Sequence, residues 1–261
     1  GVLAAAILGP WAGFLAITLV LIVQCALFSD GGLLALGANV FNMGGVGALG
    51  GYALYAAIRR LLGRGFRGTV AAAVIASWLS VMAAAALFCI ELRLSHSSTD
   101  YDFSNIFTMM IVVHCAIGVG EALITGGVVS FVLAQRPDLL YEPERPAGLL
   151  GRFGRFTAAG VVAALAVAAF LAPFASESPD GLEAVGERTG FGEIASEPRV
   201  LVLSDYALPA PVADWENAPV WRKVSVSLAG MLGTVVVLGI ALGLGRTVKR
   251  PPPAVEPTDG R

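Results

Sequence analysis

The sequence predicts an all-α fold, a polytopic bundle of helices that cross a membrane. Of the 261 residues, 56% are hydrophobic and only 14% are charged, whereas a soluble domain usually contains about 25% charged residues. The mean hydropathy is +0.77, and apolar runs long enough to cross a bilayer recur along the chain. The formal net charge of −2 gives no electrostatic basis for binding nucleic acid. The expected surroundings are therefore membrane lipid.

The apolar runs predict about six spans. Residues 1–9 have the composition of the last part of a helix whose beginning is missing, and Pro10 marks a boundary at the membrane interface. The predicted spans are residues 12–28, 46–58, 68–90, 104–134, 156–174 and 225–245. Residues 29–45 are too apolar for an ordinary loop and too rich in Gly and Asn for a spanning helix. We therefore expect them to form a re-entrant or cavity-lining segment.

Lysine and arginine are distributed unequally between the two sides of the predicted bundle. The richer side carries Arg59, Arg60, Arg64, Arg67, Arg136, Arg145, Arg152, Arg155, Arg246, Lys249 and Arg250. The positive-inside rule predicts that this side and the C-terminus lie in the cytoplasm. The expected location is the plasma (inner) membrane. The polar region 175–224, about 50 residues long, then faces outward. The Pro-rich tail, residues 251–261, is predicted to be disordered.

Two ionisable residues lie inside the longest apolar run. His114 and Glu121 are seven residues apart in the span 104–134, so two helical turns place them on one face. Ionisable groups at that depth are costly and should face protein or water rather than lipid. They could line a substrate path or support a site. They could equally form an interhelical hydrogen-bond pair that fixes packing, and the sequence leaves both interpretations open.

Three oxygen-bearing side chains lie in the predicted outer segment. Asp30, Asn39 and Asn42 offer carboxylate and amide oxygens that could coordinate or orient a cation. The same residues are common in turns, and turn chemistry alone is the favoured explanation for them. His96 lies in a polar loop, where we expect it to be solvated.

Several kinds of chemistry are excluded by missing motifs. The chain has only two histidines, so it cannot supply a cluster of imidazole ligands. Its three cysteines lie in apolar segments, which argues against a disulfide framework. The glycine-rich runs 44–51 and 118–127 are not followed by Lys-Ser or Lys-Thr, as a phosphate-binding loop requires. No CxxC pair, HExxH motif or Ser-His-Asp order is present, so we predict no catalytic residues and no enzyme.

Three strings of the sequence resemble one transporter system. Residues 7–44 read ILGPWAGFLAITLVLIVQCALFSDGGLLALGANVFNMG, and residues 113–126 read VHCAIGVGEALITG. Both resemble the cobalt/nickel substrate-binding membrane subunits of energy-coupling-factor transporters, the CbiM/NikM family. Residues 178–187, SPDGLEAVGE, resemble the PDGLE motif of the small companion subunit, CbiN/NikN, which has two spans around an outward loop.

The resemblance implies a natural fusion of the two subunits. Its parts are a CbiM/NikM-like membrane core at residues 1–136, a cytoplasmic linker at 137–155, and a CbiN/NikN-like region with two spans at 156–250. In this family the metal is held by nitrogens of an N-terminal Met-His-Ile-Pro-Asp-Gly segment and of a later Ser-Gly-His loop. None of those residues is present, so we expect the metal ligands upstream of Gly1. The residues expected to line the cavity or to orient the ligands are His114, Asn42, Asn39, Asp30 and Glu121.

The implied function is that of the substrate-capture membrane subunit of an ABC-type importer for Co²⁺ or Ni²⁺. Square-planar nitrogen ligation favours these ions over Mg²⁺ or Ca²⁺. The implied partners are a transmembrane coupling subunit and two cytoplasmic ATPase subunits. The transported ion is the expected ligand, and no covalently bound cofactor is expected. The alternative that stays open is a membrane scaffold or assembly subunit without a metal site of its own.

Overall fold

The computed structural model describes residues 1–95, 101–143, 154–175, 178–190, 192, 203, 206, 208 and 219–247. The helices are α1 (Val2–Leu8), α2 (Pro10–Phe28), α3 (Leu36–Asn39), α4 (Gly51–Leu62), α5 (Phe66–Ser95), α6 (Phe103–Gln135), α7 (Gly154–Ala166), α8 (Gly181–Thr189) and α9 (Pro219–Thr247). No β-strand occurs within those ranges, and the all-α fold is confirmed. The predictions for His96 and for the tail 251–261 concern residues outside the described ranges.

The first helix is short and folds back into the core. It ends at Gly9, whose positive φ of 88° starts a sharp change of direction, and Pro10 occupies the first position of α2. Val2, Ala5 and Ala6 are buried. A side chain at Gly13 would lie 2.7 Å from the Ala5 Cα, so α1 packs directly on the backbone of α2. The predicted boundary at Pro10 is therefore a turn between two packed helices.

The re-entrant segment predicted for residues 29–45 is wrong over its second half. The irregular part is residues 29–35, and helix α3 begins at Leu36. Wide π-type turns over Val40–Gly50 continue α3 into α4, so residues 36–62 form one helical run. Close packing explains the glycines in this run, because a Cβ on Gly44 would lie 3.1 Å from the Phe14 ring and one on Gly51 would lie 2.6 Å from Val2. Glycine here allows tight helix contact instead of breaking the helix.

Five helices are long and apolar enough to cross a membrane: Pro10–Phe28, Phe66–Ser95, Phe103–Gln135, Thr157–Phe174 and Val220–Arg246. The sixth predicted span, residues 46–58, lies within the helical run 36–62. Helices α5 and α6 pack along each other as a long pair. Ala72, Ala73 and Val129 from this pair join Val2 and Tyr55 in the main apolar core.

The second part of the chain packs beside α2. Helix α7 extends through π-type and 3₁₀ turns to Phe174, and α9 buries Ala229 against Val23 and Phe28 of α2. An apolar cavity of about 700 Å³ lies between α2 and the α7–α9 pair, and Gln24 and Tyr206 are among the residues that line it.

The connections define two ends of the bundle. Residues 29–35 join α2 to the run 36–62, and the end of α5 packs against the start of α6, so these segments lie at the same end. Helix α8 packs there, where its Val185 is buried with Ile106 and Met110 of α6. We call this the α8 end. The opposite end, where α4 and α6 finish and α5 begins, is the Arg59 end.

Candidate functional site

The α8 end gathers most of the polar side chains that the sequence singles out. Asn42 follows α3, and its Nδ2 donates a 2.8 Å hydrogen bond to the Glu91 Oε2 near the end of α5. Asn42 is 7% exposed, and within the described ranges its Oδ1 is buried without a hydrogen-bond partner. A buried amide oxygen without a donor costs about 1–3 kcal/mol. This oxygen is therefore available to accept a hydrogen bond from a bound group.

Glu91 was missed by the sequence analysis. It lies just beyond the predicted span 68–90, whereas α5 continues to Ser95 and makes Glu91 half-buried. Its partner Asn42 is 49 residues away in the chain, so no local spacing reveals the pair. The usable signal is a carboxylate that closes a long apolar run.

Asp30 is engaged by the second part of the chain. Its Oδ2 accepts hydrogen bonds from the Tyr206 hydroxyl at 2.5 Å and from the Gln24 amide at 3.2 Å. The Tyr206 ring stacks on Phe28 with 4.6 Å between centroids. Burial, followed by the hydrogen bond to Asp30, raises the pKa of Tyr206, so the phenol remains a donor at physiological pH. Asp30 therefore anchors Tyr206 beside the end of α2.

His114 is covered by the PDGLE motif. Its Nδ1 lies 2.9 Å from the Met110 carbonyl oxygen. Because a carbonyl can only accept, Nδ1 must carry the proton, and a neutral ring then keeps Nε2 as an acceptor. A Cβ placed on Gly181 would lie 3.3 Å from that Nε2 and 2.6 Å from the Ile117 Cδ1. Glycine is the residue that lets the start of α8 approach the imidazole this closely.

Asp180, Leu182 and Glu183 of the PDGLE motif form the start of α8. The Asp180 side chain accepts from the backbone N–H groups of Leu182 and Glu183, each at 2.9 Å. The Glu183 side chain accepts from the Asp180 N–H and completes a capping box. The sequence analysis did not use this signal, although Asp-x-x-Glu before a helix is a known pattern. The cap fixes where α8 begins and so positions Gly181 over His114.

The remaining two candidates, Asn39 and Glu121, have their described contacts within the first part of the chain. The Asn39 amide packs against Gly31 in the irregular segment, where an added Cβ would lie 2.6 Å from its Nδ2. Glu121 is exposed on α6, and its Oε2 accepts from the Ser77 hydroxyl at 3.4 Å. It lies two helical turns from His114 toward the Arg59 end. In the described part of the chain, no hydrogen bond joins any two of the five predicted residues.

The described side chains do not assemble a metal site by themselves. No group of three or more His, Cys, Asp or Glu residues is suitably placed within those ranges. The donors at the α8 end are oxygens of Asn42, Glu91 and Asp30 and one imidazole nitrogen of His114. A transition metal favours nitrogen and sulfur donors, and this set consists mainly of oxygens. It is therefore better suited to forming hydrogen bonds with metal ligands, or to orienting them, than to enclosing the metal.

These features define an integral membrane protein whose polar α8 end is covered by a second, smaller part of the same chain. Two family models match. The cobalt uptake substrate-specific transmembrane region, CbiM, covers residues 1–139, and the PDGLE domain covers residues 154–250. The chain belongs to the CbiM family and carries a fused PDGLE domain, which confirms both resemblances.

Two relatives described as fused proteins match most of the chain, and a third relative matches about half of it. The chain is 35% identical over 249 residues to a putative fused nickel transport protein of Archaeoglobus fulgidus, covering 94% of this chain and 76% of that protein. It is 29% identical over 275 residues to a fused nickel transport protein of Rhodobacter capsulatus, covering 95% and 79%. A cobalt transport protein CbiM of Sorangium cellulosum is 30% identical over 138 residues, covering 53% and 61%. No solved structure matches the chain.

Proposed function

We propose that this protein captures Ni²⁺ or Co²⁺ at the α8 end, as the substrate-binding membrane subunit of an energy-coupling-factor importer. The observation that carries the proposal is the junction of the two fused parts. Gly181 of the PDGLE motif packs on His114 of the core, and Tyr206 binds Asp30. Both contacts lie at the end that also holds the buried, unpartnered oxygen of Asn42.

The polar residues support metal binding in different ways under this proposal. His114 orients a neighbouring group through its ring, because the Met110 carbonyl holds one ring nitrogen and the other lies beside Gly181 at the start of α8. Asn42 and Glu91 accept hydrogen bonds from the nitrogen ligands. Asp30 and Asn39 shape the irregular segment 29–35. Glu121 lies too far along α6 to touch the same small ion.

The proposal also covers orientation and organisation. The α8 end faces outward and the Arg59 end faces the cytoplasm, with the C-terminus, in the plasma membrane. The core is residues 1–136, the linker 137–155 and the PDGLE region 156–250. Energy comes from a transmembrane coupling subunit and two cytoplasmic ATPase subunits, and the metal ion is cargo, so this chain performs no catalysis.

Metal uptake by cells tests the proposed function. Cells with the natural gene should accumulate radioactive Ni²⁺ or Co²⁺ when the metal is scarce, and cells lacking the gene should not. A large excess of Mg²⁺ serves as the control competitor, because nitrogen ligation should exclude it. Equal uptake in both strains for both metals would contradict the proposal and favour a scaffold without a metal site.

Calorimetric titration tests whether the residues of this chain bind the metal themselves or only support other ligands that bind it. The 261-residue chain has only two histidines, and the nitrogen ligands implied by the family resemblance have no counterpart in it. We therefore expect it to bind Ni²⁺ and Co²⁺ only weakly, with a Kd above about 1 μM, which corresponds to about −8 kcal/mol. A sub-micromolar Kd for this chain would show that its own residues form the primary site.

A further inference from the structure

Glu121 lies near the middle of a membrane-spanning helix, on its surface. Helix α6 runs over 33 residues from Phe103 to Gln135, and Glu121 is two residues from its midpoint, about 3 Å along the axis. The side chain is exposed. On the same side of α6, Ile117 and Ile124 are 41% and 65% exposed. A carboxylate thus interrupts an apolar surface at the depth where a charge is most costly.

This chain satisfies the carboxylate only in part. The Ser77 hydroxyl donates to the Glu121 Oε2 at 3.4 Å, a long hydrogen bond, and the same hydroxyl lies 3.2 Å from the Thr125 Oγ1. Serine has one proton, so it cannot serve both as donors at once. Within the described ranges, the other oxygen of Glu121 has no hydrogen-bond donor, and both ion pairs found there involve other residues.

The surface beside Glu121 is open to close approach by another backbone. Gly120 and Gly127 are seven residues apart, so they lie on one face of α6. A Cβ on either would meet no atom within 4 Å. Small residues at this spacing allow a second membrane helix to pack closely. The carboxylate lies at the edge of that strip, within reach of a side chain on such a helix.

We propose that Gly120, Glu121, Ile124 and Gly127, the Glu121 face, bind a membrane helix of a partner protein that presents a basic or hydrogen-bond-donating side chain to Glu121. Charge complementarity favours a partner helix with Arg or Lys over other occupants. A symmetric contact with a second copy would bring two Glu121 carboxylates together, and like charges repel. Lipid chains offer no donor. The inference rests on the proposed function, in which that partner is the transmembrane coupling subunit.

Cross-linking in the natural transport complex tests the location of this contact. Cys25, Cys89 and Cys115 are first replaced, and Gly127→Cys is introduced, since the added side chain meets no atom. Leu15→Cys on α2, which is 64% exposed, is the matched control for general membrane contact. We expect Gly127→Cys to cross-link to the coupling subunit, and we expect a much lower cross-linking yield from Leu15→Cys, which lies outside the Glu121 face.

Co-purification tests the role of the carboxylate. Glu121→Leu should lower the recovery of the coupling subunit about tenfold or more, because it leaves a basic group buried without its partner. Glu121→Gln, which keeps a hydrogen-bond acceptor, should lower it less. Val119→Leu, also on α6, is the control and should change nothing. Metal affinity should be nearly unchanged in all three. If Glu121→Leu does not fold, Glu121→Gln and the cross-links decide the question.

The outcomes separate this inference from the proposed function. Cross-links from Gly127→Cys to a second copy of this chain, to another segment of the same chain, or to nothing would overturn the inference. If the coupling subunit still co-purifies in those cases, the proposed function stands. Failure of the unmodified protein to co-purify with any coupling subunit would overturn the proposed partnership and the inference together.

Discussion

The two ends of the bundle use their polar groups in opposite ways. At the Arg59 end, the Arg59 guanidinium pairs with Glu142 at 2.7 Å and donates to the Thr69 hydroxyl at 3.0 Å. At the α8 end, the carboxylates of Asp30 and Glu91 meet only neutral donors among the hydrogen bonds described there.

The α8 end also retains unused hydrogen-bonding capacity. Among the described residues, the Asn42 Oδ1 is buried without a partner, and the His114 Nε2 faces Gly181 at the start of α8. A structural end of a bundle tends to satisfy its buried polar groups internally, because each unmet bond costs stability. Within the part of the chain that the structure describes, the Tyr55 hydroxyl, one turn from Arg59, is also buried without a partner, so the two ends differ in charge pairing rather than in unmet hydrogen bonds. The Arg59 end contains an ion pair, whereas the α8 end leaves its carboxylates with neutral donors. We therefore expect the Arg59 end to stabilise the fold and the α8 end to bind a ligand.

Labelling from each side of the membrane gives the largest contrast between the two ends. In a background without Cys25, Cys89 and Cys115, we expect Glu187→Cys on α8 to react with an impermeant thiol reagent added outside. Arg60→Cys at the Arg59 end should react only after the membrane is permeabilised. The charge distribution is the reason, since the positive-inside rule places the Arg59 end in the cytoplasm.

Both introduced cysteines occupy exposed positions, so accessibility within the protein is matched. The Cys-free parent is the control for background labelling. The reverse pattern, with Arg60→Cys labelled from outside and Glu187→Cys protected, would place the α8 end in the cytoplasm and remove the basis for capture there.

His114→Ala tests whether His114 supports metal binding at the α8 end by orienting a ligand rather than by binding the metal itself. In a protein that carries the nitrogen ligands implied by the family resemblance, we expect a 10- to 100-fold loss of metal affinity, the usual range when a residue that supports a ligand is removed. The fold should remain, because His114 is only half-buried. The measurement is the Kd for Ni²⁺ or Co²⁺ beside the Tm.

Ile117→Ala is the matched control, since this residue also contacts the start of α8 but has no polar atom. It should disturb the packing of α8 with a smaller change in Kd. Complete loss of binding in His114→Ala with an unchanged Tm would make His114 a direct ligand and the assignment wrong.

Much of the fold follows from sequence patterns, and the main error has a physical reason. Hydropathy and helix length predict the spans because lipid leaves the backbone few alternatives. Residues 29–45 were predicted to form a re-entrant or cavity-lining segment because they are rich in Gly and Asn, which are poor helix formers. Packing of Gly44 on Phe14 overrides that preference, and a single sequence does not show which helix will lie opposite.

The sequence predicts which polar side chains belong to the candidate site, but it does not predict their hydrogen-bond partners. Asp30 and Asn42 stand out as oxygen donors in an apolar context, but their partners are remote. Tyr206 is 176 residues from Asp30, and Glu91 is 49 residues from Asn42. Helical spacing predicts that Glu121 and His114 lie on one face of their helix. It does not predict which other helix or partner packs against that face.

Breaking the ion pair at the Arg59 end should cost stability and leave metal binding unchanged. The side chains of Arg59 and Glu142 are 13% and 22% exposed, so their interaction is only partly screened by water. We expect Glu142→Gln to lower the free energy of unfolding by about 1–2 kcal/mol, as for a charge-assisted hydrogen bond. Thermal denaturation in detergent measures it.

Glu187→Gln removes a carboxylate at an exposed position of α8 and is the control for loss of charge alone. It should leave the Tm within error. An altered metal Kd in Glu142→Gln, with the Tm unchanged, would contradict the division of roles between the two ends.

Tyr206→Phe should give the smallest effect and shows how firmly the fused loop is held at the α8 end. The variant loses the hydrogen bond to Asp30 but keeps the ring stacked on Phe28. We expect a loss of about 1 kcal/mol, the usual net contribution of one hydrogen bond. Faster proteolysis of the loop, at a nearly constant Tm of the membrane core, is the measurement.

The pH dependence of that contact follows from the raised pKa of Tyr206. Because the folded protein favours the protonated phenol, its contribution is complete below the pKa of an unfolded tyrosine, about 10, and declines only above it. Loop protection in the unmodified protein should therefore be constant between about pH 6 and pH 9 and fall at higher pH, and the fall should be absent in Tyr206→Phe. Phe28→Leu removes the stacked ring and keeps the hydroxyl contact, so it should retain the fall at high pH. The same fall in Tyr206→Phe would show that another group holds the loop.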